Sequence, residues 1–283
     1  MNAMKRAIKC GKLFDSQNGK VLEDKVVIIE DKTIYDVIDL REFAQEPDME
    51  VIDLSDKFVT PGLTDLHVHS GMNGEGNDRM DLLHHTPAEL TLYSLKNVQQ
   101  DLYAGFTTLR DCGSQAFVSV ALRDAINKGD FEGPRMFVSG YALGSTGGHA
   151  DSHYAPGVTC TAEEHPIIDG PDSARKAARF NLKNGADFLK FMSTGGVMSK
   201  GTTLGAQQLC DDEIAAIIEI ANLYGVHTAT HAHGTNGIKA AVRAGVTTVE
   251  HGMILDEEAI ELMLEHGTYL TPTIIAAERI CVK

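Results

Sequence analysis

From Thr60 onward one unit repeats along the chain: a short apolar run, a polar loop, an amphipathic stretch, and a glycine that stops it. The apolar runs cover residues 63–69, 106–110, 135–140, 188–192, 226–231, 246–251 and 268–271. The stops after the helical stretches are Gly105, Gly129, Gly185, Gly225, Gly245 and Gly267. Glycine takes the left-handed conformation with which many helices end. Helix starts are marked too, by Thr86-Pro87-Ala88-Glu89 and by the acidic run Asp211-Asp212-Glu213. Short strands joined by helices pair in parallel. The repeat therefore predicts an α/β fold, a (β/α)8-type TIM barrel with seven strands present and the eighth expected beyond Lys283.

Residues before Thr60 follow another pattern. Runs at 7–10, 26–29, 33–38 and 51–54 are β-prone and separated by turn residues. They predict a small antiparallel β module over residues 1–59, with the barrel over 60–283.

Charge and cysteine usage narrow the function. A net charge of −15 argues against nucleic acid and anionic membrane surfaces as partners and leaves a small molecule. The five cysteines are scattered and form no Cys-x-x-Cys, the pattern of reduced, mostly packed thiols. No apolar run reaches the length of a membrane span, and the N-terminal basic pair is not followed by the apolar core of a leader. A cytoplasmic chain is expected, and self-association stays open.

The barrel reading turns scattered residues into a constellation. His67 and His69 lie two apart on a strand and face one way, which makes either half of a zinc site or two half-buried histidines. In such a barrel the C-terminal strand ends carry function. That rim gathers His67, His69, Lys190 on the fourth strand, His231 on the fifth and His251 on the sixth. Lys190 sits between Leu189 and Phe191 in an apolar strand. A lysine is depleted there unless it is paired, chemically modified or able to reach solvent. His149, in Gly147-Gly148-His149, lies in the long loop after the third strand, as do His153 and Tyr154, and is placed to touch a substrate. Asp111 reads as a turn or helix cap.

Four blocks together resemble the amidohydrolase superfamily of metal-dependent hydrolases. They are Pro61-Gly62-Leu63-Thr64-Asp65-Leu66-His67-Val68-His69, the stretch around Phe188-Leu189-Lys190-Phe191, His231-Ala232-His233-Gly234, and Val249-Glu250-His251-Gly252. The last three are most similar to the Xaa-Pro dipeptidase and imidazolonepropionase-like branch. The resemblance implies a distorted barrel joined to a small β-sandwich built from both chain ends. It implies that His67 and His69 bind one divalent ion, His231 and His251 a second, and that Lys190 is carboxylated by carbon dioxide and bridges them. Zinc suits these ligands, with manganese, cobalt and iron as alternatives. His233 is implied to contact a substrate carboxylate. The expected reaction is hydrolysis of an amide bond in a dipeptide such as Xaa-Pro, or in an N-acyl amino acid, by hydroxide bridging the metals. The family's general acid/base, an aspartate on the eighth strand, would lie beyond Lys283, so the chain is expected to be truncated. Two alternatives stand beside this one. One is a mononuclear cyclic-amide hydrolase or deaminase, against which Lys190 argues. The other is an inactive, incomplete barrel that only binds metal.

Overall fold

The computed structural model describes residues 4–72, 84–152, 166–197, 199, 203–275 and 278. His153 and Tyr154 lie outside the described residues. The chain divides into two compact units, Met1–Leu63 and Thr64–Lys283.

In the first unit four strands form one sheet in the order β3-β2-β1-β4. They are β1 (Lys5–Asp15), β2 (Lys20–Glu30), β3 (Thr33–Asp39) and β4 (Glu50–Val59). β2 runs antiparallel to both neighbours, whereas β4 lies parallel to β1. The strands extend well past the apolar runs that predict them, because polar residues continue the ladder once turns are set. The β1–β2 turn is closed by Asp15, whose carboxylate accepts from the Gln17 and Asn18 backbone N–H groups. Alternation along β2 puts Val26 and Ile28 into one buried cluster with Ala7 and Met49, and Val27 into another with Cys10 and Leu13.

The second unit alternates strands and helices. In chain order these are β5 (Leu63–Val68), α1 (Pro87–Tyr103), β6 (Phe106–Asp111), α2 (Val118–Lys128), β7 (Arg135–Val138), β8 (Ala142–Leu143), α3 (Pro171–Lys183), β9 (Leu189–Met192), α4 (Asp211–Tyr224), β10 (Thr228–Ala232), α5 (Thr235–Ala244), β11 (Thr248–His251), α6 (Glu257–His266) and β12 (Tyr269–Thr271). The Thr86–Glu89 capping box that opens α1 is formed in both directions. Asp256 caps α6 by accepting from the Ala259 N–H at 2.8 Å. Helices α2, α4, α5 and α6 close at Gly129, Gly225, Gly245 and Gly267, all left-handed.

These strands form two sheets, β5-β6-β7 and β12-β11-β10-β9-β8, each in chain order. Every pair from β6 onward is parallel. One expectation changes here. Residues 135–140 do not make one strand: the chain leaves β6 at Val138, turns through Gly140, and resumes beside β9 at Ala142. Gly140 has φ +67°, and a Cβ there would lie 2.7 Å from the Phe117 ring. The turn is held by Asn181, whose side-chain amide donates to the Tyr141 carbonyl at 2.7 Å. The third strand position thus serves both sheets.

The main core lies between the five-stranded sheet and helices α3 to α6, with Leu189, Phe191, Ile214, Ile217, Ile238 and Val249 fully buried. Each such side chain contributes about 1.5–3 kcal/mol on burial. A second cluster, with Val98, Leu109, Leu122, Met136 and Val138, backs the three-stranded sheet. No described helix is long and apolar enough to cross a membrane.

Candidate metal centre

The imidazoles form a continuous group. Ring centroids are 5.3 Å apart for His67–His69, 4.8 Å for His67–His251 and 4.6 Å for His231–His251. His149 stacks on His231 at 4.0 Å, and His233 lies 4.7 Å from His231 and 5.1 Å from His251. All the histidines singled out in the sequence, apart from His153, therefore meet.

Three rings are oriented in one manner. His67 Nδ1 meets Glu250 Oε2 at 2.7 Å, His69 Nδ1 meets the Gly113 carbonyl at 3.0 Å, and His251 Nδ1 meets Thr273 Oγ1 at 2.6 Å. Tying Nδ1 leaves Nε2 as the ring nitrogen for a ligand, the usual arrangement around metal-binding imidazoles. His231 Nε2 is buried and has no partner among the described residues. Gly196 makes room beside it, since a Cβ there would fall 2.6 Å from that nitrogen and 2.5 Å from the His149 ring.

Lys190 is fully buried, and its Nζ has no hydrogen-bond partner among the described residues. Burial lowers its pKa, because an ammonium is poorly solvated there. Burial likewise lowers the pKa of His67, His69, His231 and His251, and a positive charge on Lys190 would lower each of them further. An orphaned amine and an orphaned ring nitrogen in one buried cluster are unfavourable unless something binds them. This donor set fits divalent metal.

Further polar groups surround the cluster, of which the sequence assigns a role to Asp111 but not to Glu250 or Arg110. Glu250, fully buried, accepts from Arg110 at 2.6 Å and Thr248 at 2.5 Å through Oε1. Burial acts to raise its pKa, but the His67 hydrogen bond and the Arg110 guanidinium outweigh that and hold it at about 2. Arg110 also donates to the Leu66 carbonyl, Thr248 and Thr271. Asp111 is buried and accepts from Ser70 N–H, Ser70 Oγ and Gly113 N–H. It ties the loop after β5 to the loop after β6, a larger task than capping one turn. Cys112 is buried beside them, and burial pushes its thiol up to about 12.

His67, Cys112 and Glu250 also place ligand atoms within 4.8 Å of one another, a second arrangement able to hold a metal. We favour the histidine–lysine set. Glu250 is already committed to Arg110, Thr248 and His67, and a thiol pushed up to about 12 is a poor thiolate donor.

Acid should loosen the metal-free fold. His67 takes its proton near pH 6.5 when unfolded but only near 3 in the fold, mainly through burial, and His251 near 2 for the same reason. Between these limits the unfolded chain binds more protons, so stability falls as pH falls, by up to about 1.4 kcal/mol per pH unit for each ring. The urea midpoint of metal-free protein should be lower at pH 5 than at pH 7. Equal midpoints would contradict neutral, buried rings.

Parallel α/β architecture with histidines at the ends of three strands and a buried lysine on a fourth defines a class built to hold metal. The chain belongs to the amidohydrolase family, whose sequence model matches residues 58–281. Members of this family generally bind divalent metal ions. Ochratoxinase of Aspergillus niger is 33% identical over 230 residues, covering 76% of this chain and 47% of that protein. This chain spans about half the length of the curated relatives it matches. A crystal structure of a Xaa-Pro dipeptidase with bound methionine in the active site superposes with a TM-score of 0.87 at 34% identity, covering 97% of this chain and 68% of that one. A prolidase complexed with N-methylphosphonate-L-proline gives 0.86 at 32% identity, covering 95% and 66%.

Proposed function

We propose that this chain carries the metal centre of a hydrolase that cleaves the amide bond of a small substrate with a free carboxylate, an Xaa-Pro dipeptide or an N-acyl amino acid. The observation that carries the reading is Lys190, fully buried with no hydrogen-bond partner among the described residues, on the strand beside the one that carries His231. His67 and His69 would hold one ion and His231 and His251 the other, with Lys190 between them. Burial favours the neutral amine of Lys190. A neutral amine adds to carbon dioxide with loss of one proton, and the resulting carbamate is anionic and supplies two oxygen ligands. Divalent ions bound there, zinc best matching the donors, would polarise the substrate carbonyl and lower the pKa of the attacking water.

The chain's own residues do the positioning. Glu250, the Gly113 carbonyl and Thr273 fix three rings through Nδ1. His233, whose buried Nδ1 has no partner among the described residues, and His149, stacked on His231, are the groups we assign to the substrate carboxylate. The names of the dipeptidase and prolidase relatives support this substrate class. We further infer that the strands of the second unit belong to a (β/α)8 barrel and the N-terminal sheet to a β-sandwich. Parallel neighbours in chain order and Arg110 reaching from β6 to Thr248 and Thr271 support the former. A small substrate is also favoured over nucleic acid by the net charge of −15.

Metal analysis and a dipeptide panel on the full-length protein, run with zinc and bicarbonate beside cyclic amidines, test the proposal. About two ions per chain and cleavage of Xaa-Pro substrates are expected. Less than one ion per chain and no cleavage of any dipeptide would overturn it.

A further inference from the structure

We propose that Glu250 is a positioning residue that sets which nitrogen of His67 carries the proton, and that Arg110 and Thr248 set which oxygen of Glu250 does so. The inference rests on the metal-centre reading above and deepens it. The two carboxylate oxygens are unequally used. Oε1 accepts from Arg110 Nη2 at 2.6 Å and from Thr248 Oγ1 at 2.5 Å. Oε2 meets only His67 Nδ1, at 2.7 Å, among the described residues. Glu250 is fully buried, so no bulk water competes for either oxygen.

An ionised carboxylate can only accept, so the His67 ring must donate from Nδ1. Its Nε2 then keeps a lone pair, which a metal requires. Arg110 is itself fixed by the Leu66 carbonyl at 2.6 Å, one residue before His67 on β5. The guanidinium thus joins the strand that carries His67 to the carboxylate that orients its ring. The hydrogen bonds of this path run from the Leu66 carbonyl through Arg110 and Glu250 to His67 Nδ1.

The arrangement makes Glu250→Gln an unusually sharp probe. Arg110 and Thr248 both donate toward the Oε1 position, so the new amide oxygen is retained there and the amide NH2 is turned toward His67. Two donors cannot face each other, and His67 must then accept at Nδ1 and carry its proton on Nε2. The shape of the side chain is unchanged, but the nitrogen that should bind metal is blocked.

The test has two parts. The first is 15N NMR of histidine-labelled, metal-free protein, with the His67 signal assigned by its loss in His67→Asn. Wild type should show the Nδ1–H form and Glu250→Gln the Nε2–H form. The second is zinc affinity by chelator competition, expected to fall 10- to 100-fold in Glu250→Gln. If His67 in wild type carries its proton on Nε2, the inference is overturned without any variant. It is equally overturned if Glu250→Gln keeps both the wild-type tautomer and the wild-type affinity. A wild-type protein that binds no zinc would remove the metal-centre reading, while the tautomer spectra would still decide what Glu250 does. A purely structural role for Glu250 would lower the unfolding midpoint and leave the His67 tautomer unmoved.

Discussion

Replacing Lys190 with methionine should make the metal-free protein more stable and abolish its activity. The two halves of that result have one origin. Nζ is fully buried with no partner among the described residues, so nothing there offsets its lost solvation. Leaving a buried polar group unsatisfied costs roughly 1–3 kcal/mol. Methionine fills a similar volume without that penalty, so the urea midpoint should rise by a corresponding amount. The same substitution removes the amine that would become the bridging carbamate. Loss of even one metal contribution, several kcal/mol at the transition state, lowers the rate by about a thousandfold or more. Turnover of an Xaa-Pro dipeptide together with metal content measures the second half. A Lys190→Met protein that is less stable, or that keeps wild-type turnover, would falsify the picture of an amine held in place for chemistry.

Arg110→Met should have the largest effect on stability. Glu250 would be left buried and ionised, facing only Thr248 and His67 among the described residues, and β6 would lose its hydrogen bonds to the Leu66 carbonyl, Thr248 and Thr271. Breaking one side of a buried ion pair costs about 3–5 kcal/mol. Adding Glu250→Gln in the same chain removes the stranded charge and should restore a large part of the loss, which a double-mutant cycle in urea resolves. Equal destabilisation by the single and double variants would mean that the charge pair is not what Arg110 supplies.

Much of the site is legible in the sequence because strand geometry is simple. His67 and His69 share a face by the period of two, and Lys190 stands out as a charge in an apolar run. Glycine stops mark the helices, and all six of those stops have positive φ as expected. Glu250 and Arg110 carry the same signal as Lys190, a charge within an apolar strand. Glu250 is harder to place, because alternation would turn it away if its neighbour His251 faces the cluster. The backbone resolves this at His251, whose φ of +74° breaks the alternation and lets both side chains turn inward. Nothing in residues 135–140 reveals that the chain changes neighbours at Gly140. Periodicity reports which face a residue takes, not which strand lies beside it.

The two sheets contribute unequal shares of the centre. His67 and His69 come from the sheet of β5, β6 and β7, whereas Lys190, His231 and His251 come from the sheet of β8 to β12. Ions shared by these residues would act as rivets across the seam, beside the strut already made by Arg110 and Glu250. Chelation would then do more than silence chemistry: it would leave that strut to hold the seam with fewer ties, and the first sign of metal loss would be mechanical slackness along it.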